Sequence, residues 1–219
     1  MPRGNLHTQI TAILSGVVRM LELVEAGTAL CCRALLEGDV ELAADVIAAD
    51  EAVNTIYRQL DELTYEVLAL QAPVAADLRA VLATVRMIGD VERAGDLVVN
   101  VAKIARHAGP MDVPDEARRC IAEMDFRCRE LLRAAAYAVR EREPEVAERA
   151  DLMDDRLDEL RRELYRGLLS GEWRADRSAM VNLPLVARYF ERIADHAVSV
   201  AERVEFLSTG SAHEAHTGL

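Results

Sequence analysis

The sequence predicts an all-α protein made of two pseudo-symmetric three-helix bundles, with six long helices in total. Three observations lead to this prediction. Apolar residues recur at helical spacing through most of the chain. No segment shows sustained alternation of apolar and polar residues, which strands would need. A motif from the third helical segment also returns in the sixth, which indicates an internal repeat.

Three helices are predicted in the first half of the chain. The first covers about 6–36, with apolar residues at helical spacing that include Ile10, Ile13, Leu14, Val17, Leu21 and Val24. Gly38 is expected to end this helix and Asp39 to cap the second, which continues to about residue 70. A proline in "QAPVA" separates it from the third helix, which extends to about residue 107.

Three more helices are predicted in the second half. A linker, "MDVPDEA", precedes a fourth helix that starts near Pro114 and ends at "REREP". Pro144 is expected to open the fifth helix, which ends at "LSG", and the sixth covers about 178–207. The polar end of the chain, 209–219, is expected to be disordered.

The repeat aligns two segments without a gap. Placing "ERAGDLVVNVAK" over "ERIADHAVSVAE" gives an offset of 99 residues, which pairs Glu92 with Glu191, Arg93 with Arg192, Asp96 with Asp195, Asn100 with Ser199 and, further back, Asp77 with Asp176. A looser match joins the second and fifth helices, pairing Asp50 with Asp154 and Asn54 with Asp158. We therefore expect one bundle over 1–109 and another over 113–208.

The repeated acids lie beside apolar stripes. On the third helix the stripe contains Val81, Val85, Ile88 and Val99, and on the sixth it contains Met180, Pro184, Ala187 and Val198. Leu157, Leu160 and Leu164 are expected to point inward on the fifth. Neighbouring carboxylates near apolar surface repel unless a cation or an arginine compensates them, and Arg93 and Arg192 are candidates. Asp77 and Asp176 lie near helix starts, where aspartate favours the helix dipole, so their role is expected to be structural.

Two E/DxxxD helices side by side supply four carboxylates, which suits a hard metal ion. Oxygen donors without sulfur or imidazole favour Mg, Mn, Ca or Fe over structural zinc. The cofactor is thus predicted to be a divalent or trivalent ion, with zinc kept as an alternative. The predicted ligands are Asp50, Glu92, Asp96, Asp154, Asp158, Glu191 and Asp195, with weaker or supporting roles for Asn54, Asn100, Arg93 and Arg192.

Composition excludes other classes of protein. The net charge is −12, and no basic stripe favours nucleic-acid binding. No run of 18 apolar residues predicts a membrane span, and the N-terminus lacks the apolar core of a signal peptide, so a cytoplasmic protein is expected. The four cysteines form neither a CxxC pair nor a disulfide framework and are expected to pack between helices.

The segments "LQAPVAADLRAV", "DVERAGDLVVNVAKIA" and "YFERIADHAVSVAERVEF" resemble the PhoU family of phosphate-response regulators. The similarity extends from about residue 6 to 206 and is greatest to actinobacterial members, sometimes called PhoY. It implies two three-helix bundles, metal binding through E/DxxxD motifs and a homodimer. It also implies negative regulation of the phosphate-starvation response, through contacts with a phosphate ABC transporter ATPase and a sensor histidine kinase. Membrane association would then be peripheral, through the transporter.

One departure from the family pattern concerns the first bundle. Asn54 replaces the second acid of the motif on the second helix, which leaves three acids there rather than four. Ser199 departs from the pattern, whereas its equivalent, Asn100, fits it. We therefore expect weaker metal binding in the first bundle, and, if only one site is filled, an ion beside Asp195.

Two alternatives remain open. The first is a structural helical protein whose acids pair with arginine and bind no metal. The second is a di-metal carboxylate enzyme, which normally requires Glu-x-x-His on two helices. No such motif occurs in this chain, and His196 points about 100° away from Asp195 on a helix, so it is expected to be a polar face residue. No nucleophile constellation or glycine-rich phosphate loop is present either, so a non-enzymatic role is preferred.

Overall fold

A computed structural model describes the backbone of residues 3–143 and 146–209, and the side chains of 6–143 and 156–207. The described residues form helices and no strands, which confirms the predicted fold class. The helices are α1 (Arg3–Glu37), α2 (Val40–Gln71), α3 (Ala76–Ala108), α4 (Asp115–Glu141), α5 (Val146–Leu169) and α6 (Arg177–Thr209).

The predicted boundaries hold to within a few residues. Gly38 has a φ of +70°, and the Asp39 side chain accepts a hydrogen bond of 2.8 Å from the backbone N–H of Leu42, as a helix cap does. Thr209 was predicted to begin the tail, but α6 includes it. Pro144 and the predicted tail from residue 210 onward lie outside the described residues.

The helices pack as two bundles joined along one side. Helices α1, α2 and α3 contact one another, as do α4, α5 and α6. The bundles meet through α1 against α4 and α3 against α6, which leaves α2 and α5 as outer helices. A continuous apolar core runs through both bundles. The predicted division between residues 109 and 113 stays a prediction.

Burial on α3 is wider than a single stripe. This helix packs against α1, α2 and α6, so most of its circumference is covered. Val81, Ile88 and Val99 are buried as predicted, but Val85 is 38% exposed. Met180 on α6 was also wrongly predicted to face the core, and it is 44% exposed.

Polar contacts reinforce both contacts between the bundles. Between α1 and α4, Glu25 lies 2.9 Å from Arg133 and 3.5 Å from Arg129. Between α3 and α6, buried Asp90 accepts two hydrogen bonds from Arg203, at 3.0 and 2.6 Å. Because both partners of each pair belong to different bundles, these contacts fix the bundles relative to each other.

All four cysteines are buried, which agrees with the expected packing role. Burial raises the pKa of the Cys120 thiol to about 12, so this group stays a neutral thiol at physiological pH. Within the described part of the chain, none of the helices combines the length and the apolar character needed to cross a membrane.

Candidate metal centre

The first acidic cluster consists of Asp50 on α2 with Glu92 and Asp96 on α3. Gly95 on α3 faces α2, and a Cβ atom there would be only 3.2 Å from Asp50 Oδ1. The missing side chain at position 95 therefore lets Asp50 approach α3. Asn54, one turn after Asp50, donates a hydrogen bond of 2.8 Å from Nδ2 to Asp50 Oδ2. Asp96 is exposed, so the cluster occupies the solvent edge of the groove rather than its interior.

The acids of the first cluster repel one another. Burial and then the Asp96 charge raise the pKa of Asp50, although the hydrogen bond from Asn54 and the charge of Lys103 oppose this. Burial and the Asp96 charge also raise the pKa of Glu92. An apolar cleft of about 130 Å³ between α1, α2 and α3 borders Asp50. No described side chain forms an ion pair with any of the three carboxylates.

The second cluster is arranged differently, because arginines occupy it. Glu191 is only 8% exposed. It forms an ion pair with Arg188 and lies 3.1 Å from Arg161 Nε. Asp158 lies 3.0 Å from Arg162 and 3.6 Å from Arg161. Glu191 and Asp158 therefore already have cationic partners.

Asp195 and Asp154 complete the predicted second set. Although Asp195 is exposed at the surface, desolvation and then repulsion from Glu191 raise its pKa, while Arg188 opposes the shift. The backbone of Asp154 belongs to α5, but its side chain lies outside the described residues. The structure therefore brings Asp195 and Asp158 close to Glu191.

The two arginines named from the sequence form no ion pair with the predicted ligands, although the charge of Arg93 opposes the rise in the pKa of Glu92. Arg93 lies 3.8 Å from Oδ1 of Asp90, which stands two residues before the motif acid Glu92. Arg192 is exposed and forms no ion pair with a described side chain. The arginines that do neutralise the second cluster are Arg188 and Arg161. The three-residue spacing of Arg188 and Glu191 was visible in the sequence, whereas the contact from Arg161 on α5 depends on helix packing.

The predicted structural role of Asp176 is confirmed. Its Oδ1 atom accepts a hydrogen bond of 2.6 Å from the backbone N–H of Ala179, and Oδ2 accepts one of 3.2 Å from that of Asp112. This carboxylate thus caps α6 and holds the α3–α4 linker against it. The equivalent Asp77 is exposed in the first turn of α3.

The two clusters differ in how well they suit a metal ion. Three mutually repelling carboxylates without an arginine partner match a hard cation in donor type and charge. In the second cluster, arginines already provide the positive charge. Among the described side chains, no three acidic, histidine or cysteine residues converge closely enough to form a ligand set. Binding at the first cluster would thus require rotation of the carboxylate side chains, and the predicted ligand set stays a prediction.

Comparison with known families and structures gives consistent results across the chain. The model of the PhoU domain matches residues 17–105 and again 121–204. The phosphate-specific transport system accessory protein PhoU homolog 2 of Mycobacterium tuberculosis is 38% identical over 210 residues, which cover 95% of this chain and 99% of that protein.

Two crystal structures share the fold. The structure of PhoU from Pseudomonas aeruginosa has a TM-score of 0.85 and 26% identity, covering 94% of this chain and 99% of that one. The phosphate transport system regulatory protein PhoU from Streptococcus pneumoniae also gives a TM-score of 0.85, at 20% identity, with 95% and 99% of the two chains covered. At that identity the second similarity concerns the fold alone.

Proposed function

This chain belongs to the PhoU domain family, and we propose that it is a cytoplasmic accessory protein that negatively regulates phosphate uptake. One observation carries the proposal: a relative named as a phosphate-specific transport accessory protein matches almost the entire chain. Such relatives are named as accessory proteins rather than enzymes, and an all-helical fold fits that role. The proposed activity is therefore a change in the behaviour of other proteins.

We assign this regulation to protein contacts with a phosphate ABC transporter ATPase and a sensor histidine kinase. Support comes from apolar side chains exposed at equivalent positions of the repeat. Leu82 on α3 is 47% exposed, and its equivalent 99 residues later, Val181 on α6, is 64% exposed. Leu185, one turn further along α6, is 46% exposed. Exposed apolar groups of this kind are commonly buried by a protein partner, and a homodimer is a second use of the same surface.

Affinity capture from cells tests the partner proposal. The tagged chain from cells grown in high phosphate is expected to retain the transporter ATPase and the kinase, detected by mass spectrometry. A Leu82→Asp/Val181→Asp variant should lose both proteins, because it places charges on the exposed apolar positions. Leu169→Asp on α5 is the matched control, since Leu169 is 76% exposed but lies on an outer helix. Capture of neither protein by the wild type would contradict the proposed function.

We further propose that the first acidic cluster binds a hard cation. This proposal is the reverse of the preference for an ion beside Asp195 that the sequence predicts, and the experiment below decides between them. An ion beside Asp195 must compete with Arg188 and Arg161, whereas an ion at Asp50, Glu92 and Asp96 relieves existing repulsion. Mg, Mn, Ca and Fe suit this donor set better than zinc. The arginine-paired second cluster fits the alternative in which acids serve packing alone.

Thermal unfolding with and without metal distinguishes these possibilities. Ions that bind only the folded state raise the unfolding temperature. We expect Mn²⁺ to stabilise chelator-treated wild type, and Asp50→Asn/Asp96→Asn to remove this effect. The matched variant Asp158→Asn/Asp195→Asn should retain it. Loss of the effect only in the second variant would instead place the ion in the second bundle, and no effect in wild type would support the metal-free alternative.

A further inference from the structure

We propose that the chain binds a small oxyanion of the phosphate or phosphate-ester class in a polar cavity between α3 and α6. This cavity is a depression open to solvent, with a volume of about 410 Å³, and it lies where the C-terminal end of α3 passes the N-terminal half of α6. Its polar lining consists of Asn100, Lys103, His107, Ser178, Asn182 and Tyr189. None of the acids of the two clusters lines this cavity, although Asn100 is also named above as a supporting residue of the predicted metal site. The proposed ligand is independent of the proposed transporter contacts.

The charge of the lining favours an anion. The protein has 38 acidic and 26 basic residues, yet none of the residues that line this cavity is acidic. Lys103 is the only lysine in the sequence; every other basic residue counted there is an arginine. A lysine ammonium provides a compact positive charge with three donors, which suits a phosphate oxygen.

Several donors in the cavity lack a strong acceptor. Lys103 Nζ and Tyr189 Oη form no hydrogen bond or ion pair with any described residue. Asn182 Nδ2 donates one hydrogen bond of 3.1 Å to Ser178 Oγ, and its second hydrogen has only the thioether of Met111 at 3.9 Å, which is a weak acceptor. An oxyanion would give these donors the charged acceptor that the protein itself does not supply.

The ring of His107 is held at the edge of the cavity. Its Nδ1 atom lies 2.7 Å from the backbone carbonyl oxygen of Lys103. A carbonyl only accepts, so Nδ1 carries the proton and donates it. This contact joins the histidine to the turn of α3 that carries the lysine, and it places both residues on one wall of the cavity.

The repeat shows that the two ends of the α3–α6 contact have diverged. The offset of 99 residues places Tyr189 at the position of Asp90 and Ile104 at that of Arg203. At the end of this contact that is away from the cavity, Asp90 is 5% exposed, and Arg203 donates to it from both Nε and Nη2. That end therefore contains its own anion with a cationic partner.

At the end that carries the cavity, neutral residues replace both members of that pair, and the cation Lys103 has no acidic partner within the cavity lining. Tyr189 stands where the repeat places the carboxylate of Asp90, and Lys103 stands where the second copy has Glu202. An oxyanion in the cavity would restore at this end the charge balance that the protein builds for itself at the other. This difference between two equivalent positions carries the assignment.

Lys103 also interacts electrostatically with Asp50, so the test must distinguish this effect from binding of the oxyanion. Its charge lowers the pKa of Asp50, against the larger effect of burial. If Lys103 served only to offset the acidic cluster, its removal would alter the stability of the protein without altering anion binding. The test therefore measures binding directly.

Titration calorimetry provides the first measurement, with inorganic phosphate as the probe and a chelator present to exclude bound metal. We expect wild type to bind phosphate and Lys103→Gln to bind it at least about tenfold more weakly, the usual effect of losing one charge-assisted hydrogen bond. Arg106→Gln is the matched control, because it removes one positive charge from an exposed residue on the same helix outside the cavity lining. Its affinity should equal that of wild type.

Selective labelling gives an independent measurement. Because Lys103 is the only lysine, an amine-acylating reagent modifies one side chain, which mass spectrometry separates from the α-amino group. Phosphate is expected to slow acylation of Lys103 and to leave the α-amino group unaffected. The proposal is overturned if wild type binds no phosphate, if Lys103→Gln binds as tightly as wild type, or if phosphate gives no protection.

Discussion

At the residue scale, the buried carboxylate of Asp90 is the main charged group in the contact between α3 and α6. This carboxylate is 5% exposed and lies between the two bundles. It accepts two hydrogen bonds from Arg203, and His196 Nδ1 lies 3.3 Å away. Burial opposes ionisation, but the hydrogen bonds from His196 and Arg203 and the charge of Arg203 outweigh it, so the pKa of Asp90 is lowered. His196, expected on a polar helix face, thus contributes to the contact between bundles.

Asp90→Asn is expected to reduce the free energy of unfolding by about 2 kcal/mol at neutral pH, because it leaves the guanidinium of Arg203 without its anionic partner. Urea unfolding followed by circular dichroism measures the change. Asp77→Asn serves as the control, since Asp77 is exposed on the same helix and forms no ion pair with a described residue.

The same contribution depends on pH in a defined direction. Since the pKa of Asp90 is lower in the folded state, the stabilisation is complete above the unfolded value of about 3.9 and is lost as pH falls below it. The stability difference between wild type and Asp90→Asn should therefore shrink between about pH 5 and about pH 3. A difference that stays constant over that range would show that the carboxylate is not responsible.

At the scale of the element, α3 shows why the acids were found but their surroundings were not. Periodicity located the helix and placed Glu92 and Asp96 on one edge. Three other helices cover most of the surface of α3, so the edge that carries these acids is the narrow face that stays exposed. Val85 and Lys103 lie on the same exposed face. A single apolar stripe cannot predict this arrangement, because the coverage comes from α1, α2 and α6 together.

The turn between α1 and α2 gives a prediction at this scale. Gly38 adopts a φ of +70°, and a Cβ atom there would lie 2.8 Å from Pro110 Cα in the linker before α4. Gly38→Ala is expected to reduce the free energy of unfolding by about 2 kcal/mol, combining left-handed strain with the clash against backbone. Thermal or urea unfolding measures this change.

A second glycine supplies the comparison. Gly89 lies inside α3, and a Cβ atom there would meet nothing within 4 Å. Gly89→Ala should therefore increase the free energy of unfolding by about 0.5–1 kcal/mol, because alanine has the higher helix propensity. Equal effects of the two substitutions, in sign and size, would contradict the role assigned to the turn.

At the scale of the whole molecule, the repeat indicates two units, whereas the core indicates one. The repeat suggests two units that resemble each other. The apolar core is nevertheless continuous, because α1 packs against α4 and α3 against α6. Fully buried residues such as Met20 in the first half and Phe190 in the second belong to the same cluster. Separation of the bundles would expose apolar surface on four helices.

We therefore expect the chain to unfold in one cooperative transition. Trp173, the only tryptophan, reports on the α5–α6 connection, while circular dichroism at 222 nm reports on all helices. The two signals should change together during urea unfolding. Trp173 fluorescence that changes at a lower urea concentration than the helical signal would show that the second bundle unfolds separately.

The sequence by itself determined the class of fold, the approximate bounds of six helices, the caps at Gly38 and Asp39, the structural role of Asp176, and the family. These features depend on the spacing of apolar residues, on helix propensity and on capping, and all three are set by residues that are close together in the sequence. It also located the repeated acids. The residues involved are close in sequence, so their pattern is visible without coordinates.

Only the tertiary structure decided which charges meet. Arg161 reaches Glu191, Arg203 reaches Asp90, and Lys103 borders a cavity with Tyr189, although each pair comes from different helices. Such contacts depend on how helices cross and rotate against one another, and the side-chain pattern of one helix does not contain that information. For this reason the acids could be predicted from the sequence, whereas the difference between a repelling cluster and an arginine-neutralised one could not.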